Sequence, residues 1–398
     1  MKLVLKQQLD ALTRRLKRAV FHYGSPPLKR ALFRKYSRRL RATMDSTWCL
    51  DTFRVEDDFI EIQGWALAPQ RDPSGISFAI NDRFFDHVSF PGPRKDIERI
   101  FWFLPQAKMS AFACRANIPR RDAFSKGHAV INCVDGKTRA PLNDDHNFYC
   151  NDPEANELPV PNAGRRRRVQ GGESDVGFRI DGFSTYMKLG LALRKAVNRN
   201  LDDFSSILDW GCGCGRVVRH MRDLERASIT GVDIDEDNVS WCRRHLSFGR
   251  FSSIPLHPPT PLEDASFDLL IGVSVFTHFR EKEQFEWLEE LRRIASEGAI
   301  LLLSIHGEAS VARGRLQPEH YFILQHKGFL DAGPSGDLEG ELNETGYYRT
   351  TFHTRKYIDQ TWSEYFEIID WIPGYLTNHQ DLLVLRKSGA AAKRASSP

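Results

Sequence analysis

An α/β domain built on a mostly parallel sheet, preceded by an antiparallel β-sandwich and a basic helical arm, is the architecture this 398-residue sequence predicts. Three observations carry the prediction. Apolar residues recur at three- and four-residue spacing at the start of the chain, then at spacing two between about 50 and 150. From about residue 176 short apolar runs alternate with helical stretches, as strands joined by crossover helices do. The last two runs, "YFEIIDWIPG" and "DLLVLRK", lie too close for a crossover and predict an antiparallel hairpin at the sheet edge.

The first stripe runs through Leu5, Leu9, Leu12, Leu16 and Val20, is broken by "GSPP" at 24–27, and resumes at Leu28, Leu32, Tyr36 and Leu40. Residues 1–44 hold thirteen Lys/Arg against Asp10 alone, leaving the rest of the chain acidic by eight charges. A mildly acidic main body argues against extensive nucleic-acid binding there. The arm has the pattern of an interfacial helix lying on an anionic membrane face; a dimerisation arm and an RNA contact are the alternatives.

Residues 45–150 form the expected sandwich. Ile76, Phe78 and Ile80 alternate with small or polar neighbours, as do Phe112, Cys114, Ala116 and Ile118, and Asp135-Gly136 suits a tight hairpin turn. Residues 151–175 have linker composition, 176–390 form the α/β domain, and 391–398 are a tail. No apolar run approaches the roughly 18 residues of a membrane span, and the start lacks a secretory signal pattern. Seven cysteines, scattered and odd in number, suit a reducing cytoplasm.

Within 176–390 the order is a helix (Tyr186, Leu189, Leu193, Val197), the strand "SILDW", a helix from about 214 and the strand "SITGVDI". Then come a helix near 236–246, a weak strand near 253–257, the strand "FDLLIGVSV", a helix over 281–296 and the strand "AILLLSI".

The stretch "SSILDWGCGCGRVVRH" after the first of these strands is the chemical centre of the sequence. Cys212 and Cys214 lack a second pair at zinc spacing, so no metal is expected. The phosphate-loop pattern G-x-x-x-x-G-K-[ST] is absent, and both G-x-G-x-x-G frames fail, at Arg216 and at Val218. What remains is Asp209 with Gly211, Gly213 and Gly215 between strand and helix, where glycines let the backbone approach a ligand. The following helix amides suit a carboxylate. Asp233, at the tip of the next strand, suits the two hydroxyls of a ribose. A cofactor with a ribose and an amino-acid end but no pyrophosphate fits, and S-adenosylmethionine is such a molecule.

On "ILDWGCGCGR", "GVDID", "SFDLLIGVSVFTHF", "LRRIASEGAILLLSI" and "FEIIDWIPG…HQDLLVLRK", residues 180–390 resemble the class I S-adenosylmethionine-dependent methyltransferases. The resemblance implies a Rossmann-like seven-stranded sheet with the last strand inserted antiparallel. It also implies that Gly211, Cys212, Gly213 and Gly215 floor the cofactor, Asp209 orients its methionine end, Asp233 holds the ribose and Ile234 packs on the adenine. Many relatives place an Asp after the third strand for the adenine amino group; here the chain reads "SIPLHPPTPLED", leaving His257 as a candidate. "IEIQGWALAP", through Gly64-Trp65-Ala66, and "PRKDI" resemble an accessory β-sandwich found beside transferase domains in bacterial polysaccharide systems.

The tetrad that handles nucleobase amines is replaced by "GVSVFTH", which disfavours base N-methylation. A sugar hydroxyl benefits from a general base. His278, expected at a strand's carboxyl end and at the start of a helix, is the first candidate, with His306 and Glu308 second. "HQD" at 379–381 reads as a structural turn bordering the cleft, and Arg165–Arg168 as a solvated run or a phosphate contact. The long insertion 307–360, with "GYYRTTFHT", is expected to cover the acceptor. The expectation is an O-methyltransferase for a saccharide or lipid-linked glycan, cytoplasmic or peripheral on the inner membrane face. The alternatives are an RNA or small-molecule methyltransferase and a non-catalytic glycan-binding scaffold.

Overall fold

The computed structural model describes residues 46–389 apart from 102, 155–157, 312, 314, 315, 317, 336–343 and 345. The basic arm and the tail lie outside the described residues.

Eight strands build the first unit: β1 (Thr47–Val55), β2 (Ile60–Leu67), β3 (Ile76–Ile80), β4 (Arg83–Phe84), β5 (His87–Pro93), β6 (Met109–Ala116), β7 (His128–Asp135) and β8 (Phe148–Asn151). They pair antiparallel as two four-stranded sheets, β1-β2-β6-β5 and β4-β3-β7-β8. The spacing of two sends Ile60, Ile62, Phe112 and Cys114 from one sheet, and Phe78, Ile80 and Ile131 from the other, into one core. Phe78 and Phe112 meet across it with ring centroids 4.1 Å apart. Gly64 is required where β1 bulges, because a Cβ there would stand 2.0 Å from the Cys49 carbonyl oxygen. Asp135 does turn the chain, its Oδ1 accepting from the amides of Lys137 and Thr138. Past this tight turn the chain bridges back antiparallel from Val134 to Pro141, and β8, beginning at Phe148, pairs with the first half of β7.

The segment of linker composition contains a helix. Asn162 caps α1 (Ala163–Gln170), which Gly171 ends at φ +70°, and Ser174 caps the long α2 (Asp175–Val197).

The second unit adds β9 (Ser206–Trp210), β10 (Ser228–Asp233), α3 (Glu236–His245), β11 (Arg250–Ser253), β12 (Phe267–Gly272), α4 (Glu281–Ile294) and β13 (Ala295–Ile305). An insertion follows with α5 (Pro318–Lys327), β14 (Phe329–Pro334), β15 (Arg349–His353) and α6 (Arg355–Thr361), and the chain closes with β16 (Glu367–Leu376) and β17 (Gln380–Arg386). The seven-stranded sheet has the order β11-β10-β9-β12-β13-β17-β16, with β17 antiparallel to both neighbours, as the close spacing of the last two runs demands. Its central strands are buried on both faces: Ile207, Leu269 and Leu302 enter one core, and Leu208, Leu270 and Leu301 the other.

The helix expected from about 214 is absent; Val218–Met221 form a single 3-10 turn. The Arg216 carbonyl is seated against α2 where a Cβ on Gly182 would come within 2.2 Å. Arg219 is drawn into the interior, donating to the carbonyls of Leu158 and Pro159. Both contacts hold the chain off a helical path.

The two units share polar and apolar contacts. Lys188 of α2 donates to the Asp145 carbonyl at 3.0 Å, the Tyr375 carbonyl at 2.6 Å and Asn378 Oδ1 at 3.3 Å. Asn378, in the β16–β17 turn at φ +52°, donates to the carbonyls of Trp48 and His146. Trp65 leaves the sandwich core and packs in a cluster with Phe101, Leu324, Leu330 and Phe352, so the insertion and the sandwich share one core. Among the described residues no helix is long and apolar enough to cross a membrane.

Candidate active site

A cleft of about 540 Å³ opens at the carboxyl ends of β9, β10, β12 and β13, where open α/β sheets collect ligands. One half is built from the glycine loop. Gly211, Gly213 and Gly215 adopt φ of +76°, +53° and +78°. Gly211, Cys212 and Gly213 line the cleft, whereas Gly215 does not. Gly215 instead lies against α3, where a Cβ would approach Leu246 within 2.5 Å and Cys242 within 3.4 Å, so its role is packing. The Cys212 sulfur is buried in the core beside Cys242, leaving only the backbone to the cleft.

Asp233 staples this loop to the strand end: Oδ2 accepts from Gly213 N at 2.8 Å and Oδ1 from Asp235 N at 2.9 Å. Each oxygen keeps a second lone pair, which fits a pair of ribose hydroxyls. Asp209 is 2 % exposed, and its buried Oδ2 has no partner among the described residues. Burial pushes this carboxyl up to about 7, with Asp233 adding to the rise and Arg216 opposing it. An orphaned buried acceptor is costly unless a ligand donor reaches it, and the ammonium end of S-adenosylmethionine is such a donor. Ile234 lines the same half.

The helix α1, hidden in the segment of linker composition, forms a wall here. Val169 covers Gly213, and Arg168 pairs with Asp235 at 2.9 Å. Of the arginine run only Arg168 lines the cleft, while Arg167 is exposed and pairs with Glu173. His257 is exposed outside the cleft and pairs with Glu344 at 2.9 Å, so it does not take the adenine position.

The other half is assembled by the insertion. β15 runs beside the loop after β12: the amides of Arg349 and Thr351 donate to the carbonyls of His278 and Thr277, and that of His353 donates to the carbonyl of His306. In return His278 Nδ1 donates to the Arg349 carbonyl at 2.7 Å, and His306 Nδ1 to that of Thr351 at 3.2 Å. A carbonyl only accepts, so both rings carry the proton on Nδ1 when neutral. Tyr348 stacks on His278 at 3.8 Å. His278 precedes α4 instead of beginning it, so the carbonyl rather than a helix end sets its tautomer. Burial, helped by His278, holds His306 down at about 3.

Glu308 is exposed and outside the cleft. Gly307 is pressed onto Asp381, where a Cβ would stand 1.7 Å from the carboxylate, and the chain turns there. His379 and Gln380 of the "HQD" turn do line the cleft. Gln380 accepts from Ser304 Oγ at 2.6 Å and donates to Ser274 Oγ at 2.9 Å. Ser274 sits at φ +63°, a backbone state rare outside glycine, at the tip of β12. Sequence spacing shows neither this strain nor the serine–glutamine network; the only sequence signal was the strand end itself. The insertion aromatics divide: Tyr348 lines the cleft against His278, while Tyr347 is buried with its hydroxyl donating to the Leu256 carbonyl at 2.6 Å.

Residues 207–298 match the family model described as a methyltransferase domain. Ajmaline N-methyltransferase of Rauvolfia serpentina is 25 % identical over 134 residues, 31 % of this chain and 44 % of that protein. Norajmaline N-methyltransferase of the same plant is 24 % identical over 131 residues, 30 % of this chain and 43 % of that protein. The chain thus spans less than half the length of the curated relatives it matches. A solved S-adenosylmethionine-dependent methyltransferase from Methanosarcina mazei superposes with a TM-score of 0.37 at 21 % identity, covering 48 % of this chain and 96 % of that one.

Proposed function

From a chain whose residues 207–298 form an S-adenosylmethionine-dependent methyltransferase domain, we propose transfer of a methyl group to a hydroxyl of a saccharide or lipid-linked glycan. S-adenosylmethionine, the cofactor of this domain, supplies an electrophilic methyl when bound. Gly211, Gly213, Asp209 and Asp233 hold it, and Ile234 borders its adenine. His278 accepts the hydroxyl proton at Nε2, its Nδ1 already committed to the Arg349 carbonyl. That committed tautomer is the observation that carries the reading, because a sugar hydroxyl holds its proton tightly while a neutral imidazole can take it. Tyr348, stacked on the base, offers an aromatic face to a sugar ring.

The sandwich, whose Gly64-Trp65-Ala66 resembles the accessory domains of polysaccharide-related transferases, fits this reading as an acceptor-side wall. The basic arm fits recruitment to an anionic inner membrane face. Incubation with methyl-labelled S-adenosylmethionine and, separately, lipid-linked saccharides, nucleotide sugars and RNA tests the proposal. Label is expected as an ether in a saccharide fraction; label confined to RNA would overturn it. The Rauvolfia relatives, by name N-methyltransferases, favour a second reading, transfer to an amine of a small molecule. An N-methyl product in the same assay would establish that reading instead.

A further inference from the structure

Arg313 of the insertion lies where the cleft meets the sandwich, and both Arg313 and Cys49 of β1 line it. Its guanidinium rests over the Trp65 ring at 4.9 Å and donates through Nη2 to Thr47 Oγ1 at 3.0 Å. Its Nε is buried without a partner among the described residues. Among the described residues no carboxylate lies within ion-pair distance of it, although arginine–carboxylate pairs are spread over the rest of the surface. A guanidinium has five N–H donors, and among the described residues only Thr47 takes one. Desolvating a cation with neither charge partner nor full hydrogen bonding is expensive, so such a group is retained where something else completes it. Beside it His379 also lines the cleft, with Nδ1 buried and unpaired among the described residues and its ring 5.1 Å from His306. Cys49, which also lines the cleft here, is a thiol that burial keeps neutral.

We propose that Arg313, with His379 beside it, is an anion subsite that receives a carboxylate or phosphate group of the acceptor next to His278. The glycine loop with Asp209, Asp233 and Arg168 lies in the other half of the cleft, so this cation is set to read the acceptor rather than the cofactor. The sandwich then contributes to the chemistry, because Trp65 and Thr47 orient the guanidinium. The inference rests on the saccharide reading above and narrows it to an anionic sugar or a glycosyl phosphate.

The test uses the full-length chain saturated with S-adenosylhomocysteine and titrated at constant ionic strength with D-glucuronate, D-glucose 1-phosphate and D-glucose. One of the two anions is expected to bind at least about tenfold more tightly than glucose, the margin of a charge-assisted pair. Arg313→Gln should abolish that margin and Arg313→Lys should keep part of it. A preference for glucuronate identifies a carboxylate, and one for glucose 1-phosphate a phosphate. Equal binding of anions and glucose, no saturable anion binding, or a margin unchanged in Arg313→Gln would overturn the proposal. If Arg313→Gln does not fold, the native margin and the Arg313→Lys variant still decide. S-adenosylhomocysteine affinity, measured first, reports on the methyltransferase reading separately.

Discussion

The ring of His278 is locked to the backbone of Arg349, Nδ1 to carbonyl oxygen at 2.7 Å, across 71 residues of chain. Arg349 is itself held by Asp331 through Nε at 3.0 Å to both carboxylate oxygens, so the inserted pair of β14 and β15 is stiffened at the point where it orients the proposed base. The half of the cleft proposed to take the acceptor therefore depends on a segment outside the residues that match the methyltransferase domain.

Replacing His278 by Ala should lower turnover about 10²–10⁴-fold, the worth of a general base, with S-adenosylhomocysteine affinity unchanged by calorimetry. Near-normal turnover would transfer the role to His306, whose Nδ1 is held in the same way.

Gly213→Val should abolish cofactor binding, although the direct clash is with the α1 wall. A Cβ at this φ of +53° would meet Val169 Cγ1 at 2.6 Å and drive the wall outward. Asp233→Ala removes the acceptor that staples the loop and should weaken binding by about 1.5–3 kcal/mol. Unchanged affinity in Gly213→Val would dissociate the loop from the cofactor.

Asp209 gives the site a pH signature. Its carboxyl is raised from 3.8 to about 7 in the fold, so the folded state binds the extra proton between those values. The stability of the ligand-free protein should fall as pH rises through that window, while cofactor affinity rises as the acid ionises. Asp209→Asn should match the native protein near pH 4 and exceed its melting temperature at pH 8, because no charge is then buried. A native excess at pH 8 would contradict the assignment.

Lys188→Met leaves the Asp145 and Tyr375 carbonyls and Asn378 Oδ1 without their shared donor. Destabilisation of about 2–4 kcal/mol is expected from orphaned buried acceptors, read by denaturant melts. A change within about 0.5 kcal/mol, the range of surface substitutions, would show that the joint between the units does not rely on this lysine.

Removal of residues 1–44 should abolish co-sedimentation with anionic vesicles while leaving S-adenosylhomocysteine affinity intact. Each basic residue near an anionic leaflet contributes about 1 kcal/mol, so native binding should weaken steeply with salt. Binding that ignores lipid charge, or that survives the truncation, would point to a different role for the arm.

Alternating apolar spacing and the short separation of the last two runs were enough to determine the sheet and its antiparallel close. A buried strand must be apolar on its hidden faces, and a crossover needs length, so both constraints are written locally. The glycine loop and Asp233 were legible for the same reason: a tight turn and a strand-tip carboxylate are properties of a few adjacent residues. Gly215, Glu308 and His257 had suitable chemistry and the wrong surroundings: Gly215 packs on Leu246, Glu308 is exposed beyond the contact of Gly307 with Asp381, and His257 pairs with Glu344. Only the tertiary structure made α1 a wall of the site, placed β15 where its carbonyls choose the histidine tautomers, and brought Arg313 over Trp65. Each of these pairs joins residues dozens to hundreds of positions apart, and no local periodicity records which side chains a fold will bring together.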